Sequence, residues 1–163
     1  MHIFIKNKKL IIDKYRIKCA IGKRGIGNKK REGDKITPKG RFKIRAILFR
    51  KDRISNIKSQ ITKLPITKNM GWCDEPKSKK YNKLVRLPFE GSAEKLYRKD
   101  NTYDIILVLD YNFNPIKKGK GSAIFLHIAR KRYKSTLGCI AVSKKDLKII
   151  IKKVNKSTIV NIN

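Results

Sequence analysis

The residue types best suited to chemistry are a histidine and a cysteine separated by a short polar loop. His127 follows the apolar run at residues 124–126, and Cys139 follows Gly138 and precedes a second apolar run. A thiol is a weak nucleophile until its pKa falls, and a neighbouring imidazolium lowers that pKa. The spacing therefore favours a thiolate–imidazole pair at the ends of adjacent strands. The alternative is a buried structural cysteine beside an ordinary surface histidine.

The surroundings of this pair resemble the active-site signature of the L,D-transpeptidase (YkuD-type) catalytic domain family. That signature has an upstream histidine, a variable loop and then Ser/Thr-His-Gly-Cys. His127, Thr136, Gly138 and Cys139 match it here. Leu137 stands where many members have the second histidine, so the chain resembles a branch that lacks this residue.

The resemblance extends from about residue 20 to residue 150, with its parts in the expected order. Residues 33–42 look like the family's Gly-Asp-x-x-Thr-Pro-x-Gly-x-Phe segment, and residues 72–74 and 81–82 look like one branch of the family. A second departure is Ala141, where many members have an arginine. The combination of these segments is much more specific than any one of them.

The resemblance implies a role for each matching residue. Cys139 would be the nucleophile and His127 the proton donor and acceptor, and the backbone N–H groups of Gly138 and Cys139 would be the oxyanion donors. Thr136 would hold the histidine ring or the loop, and its alternative is a simple turn residue. The residues expected to bind substrate are Glu32, Asp34, Thr37, Trp72 and Asn82. Trp72 is also suited to a place in the core.

The implied reaction cuts a peptidoglycan tetrapeptide stem between a dibasic residue and its terminal D-alanine, through a thioester. Neither a metal nor an organic cofactor is expected. An amine acceptor gives a cross-link or an exchanged D-amino acid, whereas water gives an L,D-carboxypeptidase. The missing histidine and arginine leave a third alternative, a degenerate member that binds the wall without chemistry.

The net charge of +31, from 43 basic and 12 acidic residues, predicts attraction to any polyanion. Anionic envelope polymers and acidic stem peptides fit this charge as well as nucleic acid does. Because aromatic residues are only 8% of the chain and do not alternate with basic ones, no specific nucleic acid is expected. A basic nucleic-acid-binding β domain is nevertheless the rival from a different functional class.

At 163 residues the chain is expected to be one domain, residues 1–163, without a transmembrane segment. The resemblance implies a place in the periplasm or cell envelope. The first residues lack the pattern of a signal peptide. Export by another route, a missing leader and a cytoplasmic location therefore all stay open. Three widely spaced cysteines predict no disulfide framework and no metal site.

Hydrophobic patterning predicts a mainly β chain with one clear C-terminal amphipathic helix, and the resemblance implies a YkuD-like β-sandwich of mixed sheets. Residues 41–50 alternate, which places Phe42, Ile44, Ala46 and Leu48 on one face. Residues 103–110 predict a central strand buried on both faces. Residues 92–97 predict one helical turn. The helix follows Ser143 and buries a stripe. That stripe comprises Leu147, Ile150, Ile151 and Val154.

Overall fold

Fourteen strands and one α-helix form the fold, which the computed structural model describes over all of residues 1–163. The strands are β1 His2–Lys6, β2 Lys9–Ile12, β3 Tyr15–Lys18, β4 Ile26–Gly27, β5 Thr37–Pro38, β6 Gly40–Phe49, β7 Lys63–Pro65, β8 Met70–Cys73, β9 Leu84–Arg86, β10 Ala93–Lys95, β11 Ile105–Leu109, β12 Phe125–Ile128, β13 Ile140–Val142 and β14 Ile159–Ile162. The helix α1 spans Lys144–Lys153, and a short 3₁₀ turn spans Lys131–Tyr133. The predicted mainly β class with one helix is confirmed.

A nine-stranded mixed sheet holds most of these strands. Its order is β13-β12-β11-β6-β14-β1-β2-β3, with β7 paired to β6. The pairs β1–β14, β6–β7 and β12–β13 are parallel, and the other pairs are antiparallel. A three-stranded sheet, β10-β8-β9, and the short pair β4-β5 complete the architecture. Mixed sheets were also predicted and are confirmed.

The strand β11 separates two hydrophobic clusters. Its alternate residues Ile105, Leu107 and Leu109 enter a cluster of 25 buried residues that also holds the apolar stripe of α1. The residues between them, Ile106 and Val108, enter a cluster of eight. Because successive strand side chains point to opposite faces, this strand is buried on both sides. The prediction of a central strand at residues 103–110 is confirmed.

The alternation predicted for β6 is wrong in its second half. Ala46 faces Val108 across the sheet, whereas Leu109 faces Ile44, so the register shifts between these pairs. This β-bulge adds one residue to β6, so the alternating side chains after the bulge point to the opposite face of the sheet from those predicted. Ile44 therefore belongs to the large cluster, while Leu48 belongs to the small one.

The predicted helical turn at residues 92–97 is also wrong. Ala93, Glu94 and Lys95 form β10, which pairs antiparallel with β8. Alanine, glutamate and lysine favour helices intrinsically, but a neighbouring strand overrides a weak local propensity. The strand also turns Glu94 toward the candidate site described below.

The helix α1 begins as predicted. Ser143 Oγ accepts a hydrogen bond from the N–H of Asp146 at 3.1 Å, and Leu147, Ile150 and Ile151 are buried. The helix is ten residues long, and no helix of the chain is long and apolar enough to cross a membrane.

Candidate active site

A cavity of about 470 Å³ lies at the edge of the large sheet where β12 and β13 pair. Leu126 faces Ile140 in this parallel pair, and His127 faces Ala141. Cys139 immediately precedes β13, and its sulfur accepts a hydrogen bond from the N–H of Phe125 at 3.4 Å. The register therefore places the sulfur beside the strand that holds His127, and both residues line the cavity.

The thiol of Cys139 is partly enclosed and protonated in the resting site. Its Sγ donates to the backbone oxygen of Ala123 at 3.0 Å. Burial raises the pKa of Cys139 to about 12. The cysteine is therefore not the ready-made thiolate that the sequence pattern favoured.

The imidazole of His127 is held in one tautomer. Its Nδ1 lies 2.9 Å from the backbone oxygen of Ile128, and a carbonyl oxygen only accepts hydrogen bonds. Nδ1 must therefore carry the proton, which leaves Nε2 as a free acceptor in the neutral ring. Burial lowers the pKa of His127 to about 4. Burial therefore favours a neutral thiol and a neutral imidazole over the expected ion pair.

The aromatic ring of Tyr103 packs against the imidazole of His127 in an edge-to-face contact. The two ring centroids lie 5.3 Å apart at an interplanar angle of 82°. This arrangement is favourable for aromatic rings and limits how far the imidazole can rotate. Tyr103 also lines the cavity and was not singled out from the sequence.

Thr136 organises the loop that carries the cysteine. Its Oγ1 donates to the backbone oxygen of Cys139 at 2.6 Å and accepts from the N–H of Gly138 at 3.1 Å. Because the Gly138 N–H is already bonded to Thr136, this one of the two predicted oxyanion donors is not free. The N–H of Cys139 makes no hydrogen bond within the protein and is the better donor.

Two of the predicted substrate-binding residues lie on the segment before β5. Glu32 lines the cavity. Asp34 is 6% exposed, and its Oδ1 accepts from Lys29 Nζ at 2.6 Å. Burial alone would raise the pKa of Asp34, but Lys29 and three backbone N–H groups outweigh it and lower the pKa to about 2. Asp34 therefore fixes its own loop.

Like Asp34, the other three predicted substrate-binding residues do not line the cavity. Thr37 donates to the backbone oxygen of Gly138 at 2.8 Å. Asn82 accepts from the N–H of Ala123 at 3.1 Å and from Trp72 Nε1 at 3.0 Å. All three are buried behind the cavity wall, and Thr37 and Asn82 each fix a residue that lines it. The structure gives them a supporting place rather than a substrate contact.

Sequence reasoning missed an acidic group at the cavity. Asp74 and Glu94 line it together with Glu32, and so does Ser122. The phenol of Tyr103 donates to Glu94 at 2.5 Å, and Tyr81 donates to Glu32. Acidic residues are rare in so basic a chain, and this rarity could have drawn attention to them. The incorrect prediction of a helical turn at residues 92–97 gave no reason to place Glu94 at the cavity.

The two positions that depart from the family signature differ in their surroundings. Leu137 lines the cavity with a side chain that is 73% exposed. Ala141 is 1% exposed and forms a bridge with Ala20. The structure contains no group of three or more His, Cys, Asp or Glu side chains arranged to hold a metal ion.

Fold and site together define a mainly β domain with a cysteine and a histidine in one cavity. The family model described as the YkuD L,D-transpeptidase catalytic domain matches residues 1–162. The chain therefore belongs to the YkuD family of L,D-transpeptidase catalytic domains. The match confirms the resemblance seen in the sequence and extends it to nearly the whole chain. No curated protein matches the chain. Members of the family act on peptidoglycan peptides and are generally associated with the cell envelope.

Proposed function

We propose that the chain is a cysteine-dependent L,D-transpeptidase that acts on peptidoglycan tetrapeptide stems. It cuts the bond between the dibasic third residue and the terminal D-alanine, and it works in the cell envelope. The main support comes from the shared cavity, where the thiol of Cys139 and the free Nε2 of His127 are available to one substrate. Family membership supports the choice of reaction and substrate.

Because both groups are neutral at rest, proton transfer accompanies the attack. Nε2 of His127 takes the thiol proton as the sulfur bonds to the carbonyl carbon of the dibasic residue. The tetrahedral intermediate collapses, the amide C–N bond breaks, and the imidazolium returns the proton to the departing D-alanine amine. The product is a thioester on Cys139. An acceptor amine then attacks the thioester, loses a proton to His127 and displaces the thiol.

Negative charge develops on the carbonyl oxygen during both steps. The free N–H of Cys139 is the donor we assign to this oxygen, since Leu137 has no side-chain donor. Thr37 donates to the backbone oxygen of Gly138, which lies in the same planar peptide unit as this N–H, and so sets the direction of the N–H. If water replaces the amine acceptor, the same site acts as an L,D-carboxypeptidase.

The test is incubation of the purified chain with a disaccharide-tetrapeptide and a free D-amino acid, followed by mass spectrometry. We expect release of D-alanine, an exchanged or cross-linked product, and a thioester adduct on the intact protein. Cys139→Ala abolishes all three. Cys19→Ala is the matched control, because Cys19 is a second buried free thiol and lies in the large core cluster.

Each outcome bears on the proposal. Turnover by Cys139→Ala, or inactivity of the folded wild-type protein without any adduct, overturns it. Release of D-alanine without an exchanged product retains the thioester chemistry and assigns water as the acceptor.

A further inference from the structure

Two buried side-chain atoms of the chain, Oδ1 of Asp74 and Oγ of Ser122, have no hydrogen-bond partner of normal geometry, although the Ser122 hydroxyl is close enough to that of Tyr81 to act on its pKa. Both residues line the active-site cavity, and Ser122 is only 6% exposed. A buried polar atom without a partner costs about 1–3 kcal/mol, so native proteins seldom retain one. That both orphaned atoms of the chain lie in one cavity indicates that a ligand supplies the missing hydrogen bonds.

Acidic side chains also line this cavity. Glu32, Asp74 and Glu94 line it, although the chain has only 12 acidic residues against 43 basic ones. None of the three forms a salt bridge, and two of them accept instead from tyrosine hydroxyls. We call these three carboxylates together with Ser122 the acidic corner. Burial raises the pKa of Glu94, and the charge of Asp74 adds to this rise.

The basic residues of the cavity do not neutralise the acidic corner. Lys29 binds Asp34 at 2.6 Å, and both side chains are almost fully buried. Arg98 binds Asp100 at 2.6 Å, and Arg130 donates to the backbone oxygen of Ser135 at 2.7 Å. Each cation is thus directed to another partner, so none forms a salt bridge with the acidic corner, although the nearby charge of Arg98 acts to lower the pKa of Glu94.

We propose that the acidic corner binds an alkylammonium group of the substrate, the side-chain ammonium of the dibasic stem residue. An ammonium has three donors and no acceptor, which matches orphaned Asp74 Oδ1, orphaned Ser122 Oγ and a carboxylate oxygen of Glu94. Ser122 adjoins Ala123, whose backbone oxygen holds the thiol of Cys139. The acidic corner therefore selects the residue whose carbonyl is attacked. This inference rests on the proposed function for the identity of the substrate.

The test measures binding rather than turnover, so that it does not depend on catalysis. In the Cys139→Ala background, calorimetry compares two tetrapeptides that carry lysine or norleucine at the third position. Norleucine has the same straight aliphatic chain but lacks the amine. We expect the lysine peptide to bind at least about tenfold more tightly, the gain from one charge-assisted hydrogen bond. Asp74→Asn, which preserves shape and removes charge, should abolish this preference.

Glu90→Gln is the matched control, since Glu90 is exposed, lies in the connection that leads into β10 and does not line the cavity. It should retain the preference for the lysine peptide. Equal binding of the two peptides, or no measurable binding of either, overturns the proposal. A loss of affinity for both peptides in Asp74→Asn also overturns it, because that result indicates a structural role.

The experiment separates this proposal from the proposed reaction. A preference for lysine without turnover in the wild-type protein retains the acidic corner and rejects the transpeptidase. A second comparison uses free D-lysine and free D-norleucine as acceptors. If D-lysine binds better than D-norleucine while the two tetrapeptides bind equally, the ammonium site belongs to the acceptor. That result rejects the assignment of the acidic corner to the donor stem.

Discussion

At the scale of single residues, burial decides the chemistry of the cysteine and the histidine. The pKa of Cys139 rises to about 12 and that of His127 falls to about 4, in both cases chiefly because burial disfavours the charged form. The two residues line one cavity, which agrees with the proximity that their spacing predicted, and their catalytic roles stay a prediction. Their charge states could not be read from spacing, since desolvation depends on how completely the surrounding strands and loops enclose each side chain.

The buried neutral imidazole makes stability depend on pH. In the unfolded chain His127 has a pKa of about 6.5, whereas in the folded chain its pKa is about 4. Between these two values the unfolded chain binds a proton on His127 and the folded chain does not. The full contribution to stability is therefore present above about pH 6.5 and is lost as the pH falls toward 4. We expect the free energy of unfolding to drop by about 3 kcal/mol across this window because of His127 alone.

Urea denaturation at a series of pH values measures this dependence. His127→Gln should flatten the curve between about pH 6.5 and 4, since glutamine does not titrate. His2→Gln removes the other, exposed histidine and should leave the curve as in the wild type. A wild-type curve and a His127→Gln curve that run parallel would contradict the prediction.

At the scale of elements, long apolar runs predicted their strand and helix correctly, whereas a bulge and a short irregular strand could not be predicted from the sequence. The strand β11 is a continuous apolar run, and the helix α1 repeats its apolar residues at the helical period, so each pattern indicates one type of element. The bulge in β6 and the strand β10 depend on partners that are distant in sequence. No pattern within either segment shows that partner, so the position of Glu94 could not be predicted.

Gly138 joins the active-site loop to β13 at a point where the backbone permits no side chain. Its φ is +142°, and a Cβ there would lie 2.9 Å from the backbone oxygen of Ile36. We expect Gly138→Ala to lower the free energy of unfolding by about 1–3 kcal/mol. It should also lower kcat, because the shift displaces the neighbouring Cys139. Chemical denaturation and the D-alanine release assay measure the two effects.

Gly25→Ala provides the comparison for this substitution. Gly25 also has a positive φ, +81°, but no atom lies within 4 Å of the added Cβ. This variant should show a conformational cost without a steric one and should retain kcat. If the two alanine variants lose stability and activity to the same extent, close packing at Gly138 is not the reason for its glycine.

At the scale of the whole molecule, the chain is strongly basic, whereas the cavity is lined by as many acidic as basic residues. The net charge is +31, and basic residues such as Lys145, Lys148 and Lys152 of α1 are exposed. The cavity instead collects three of the few acids. Composition alone predicted the basic surface. It could not predict the acidic corner, because strand pairing and loop packing bring together residues as far apart in the sequence as Glu32 and Glu94.

The basic surface should bind polyanions by charge alone. We expect polyglutamate and double-stranded DNA both to bind, with affinities that fall by at least about tenfold between about 50 and 200 mM salt as counterions are released. The combined variant Lys145→Glu, Lys148→Glu and Lys152→Glu should weaken both interactions, whereas Cys139→Ala should change neither. Fluorescence anisotropy at several salt concentrations measures these affinities. A salt-independent affinity would contradict binding by charge alone. A strong preference for one DNA sequence would favour the nucleic-acid-binding alternative over a polymer-attracting surface around the proposed envelope enzyme.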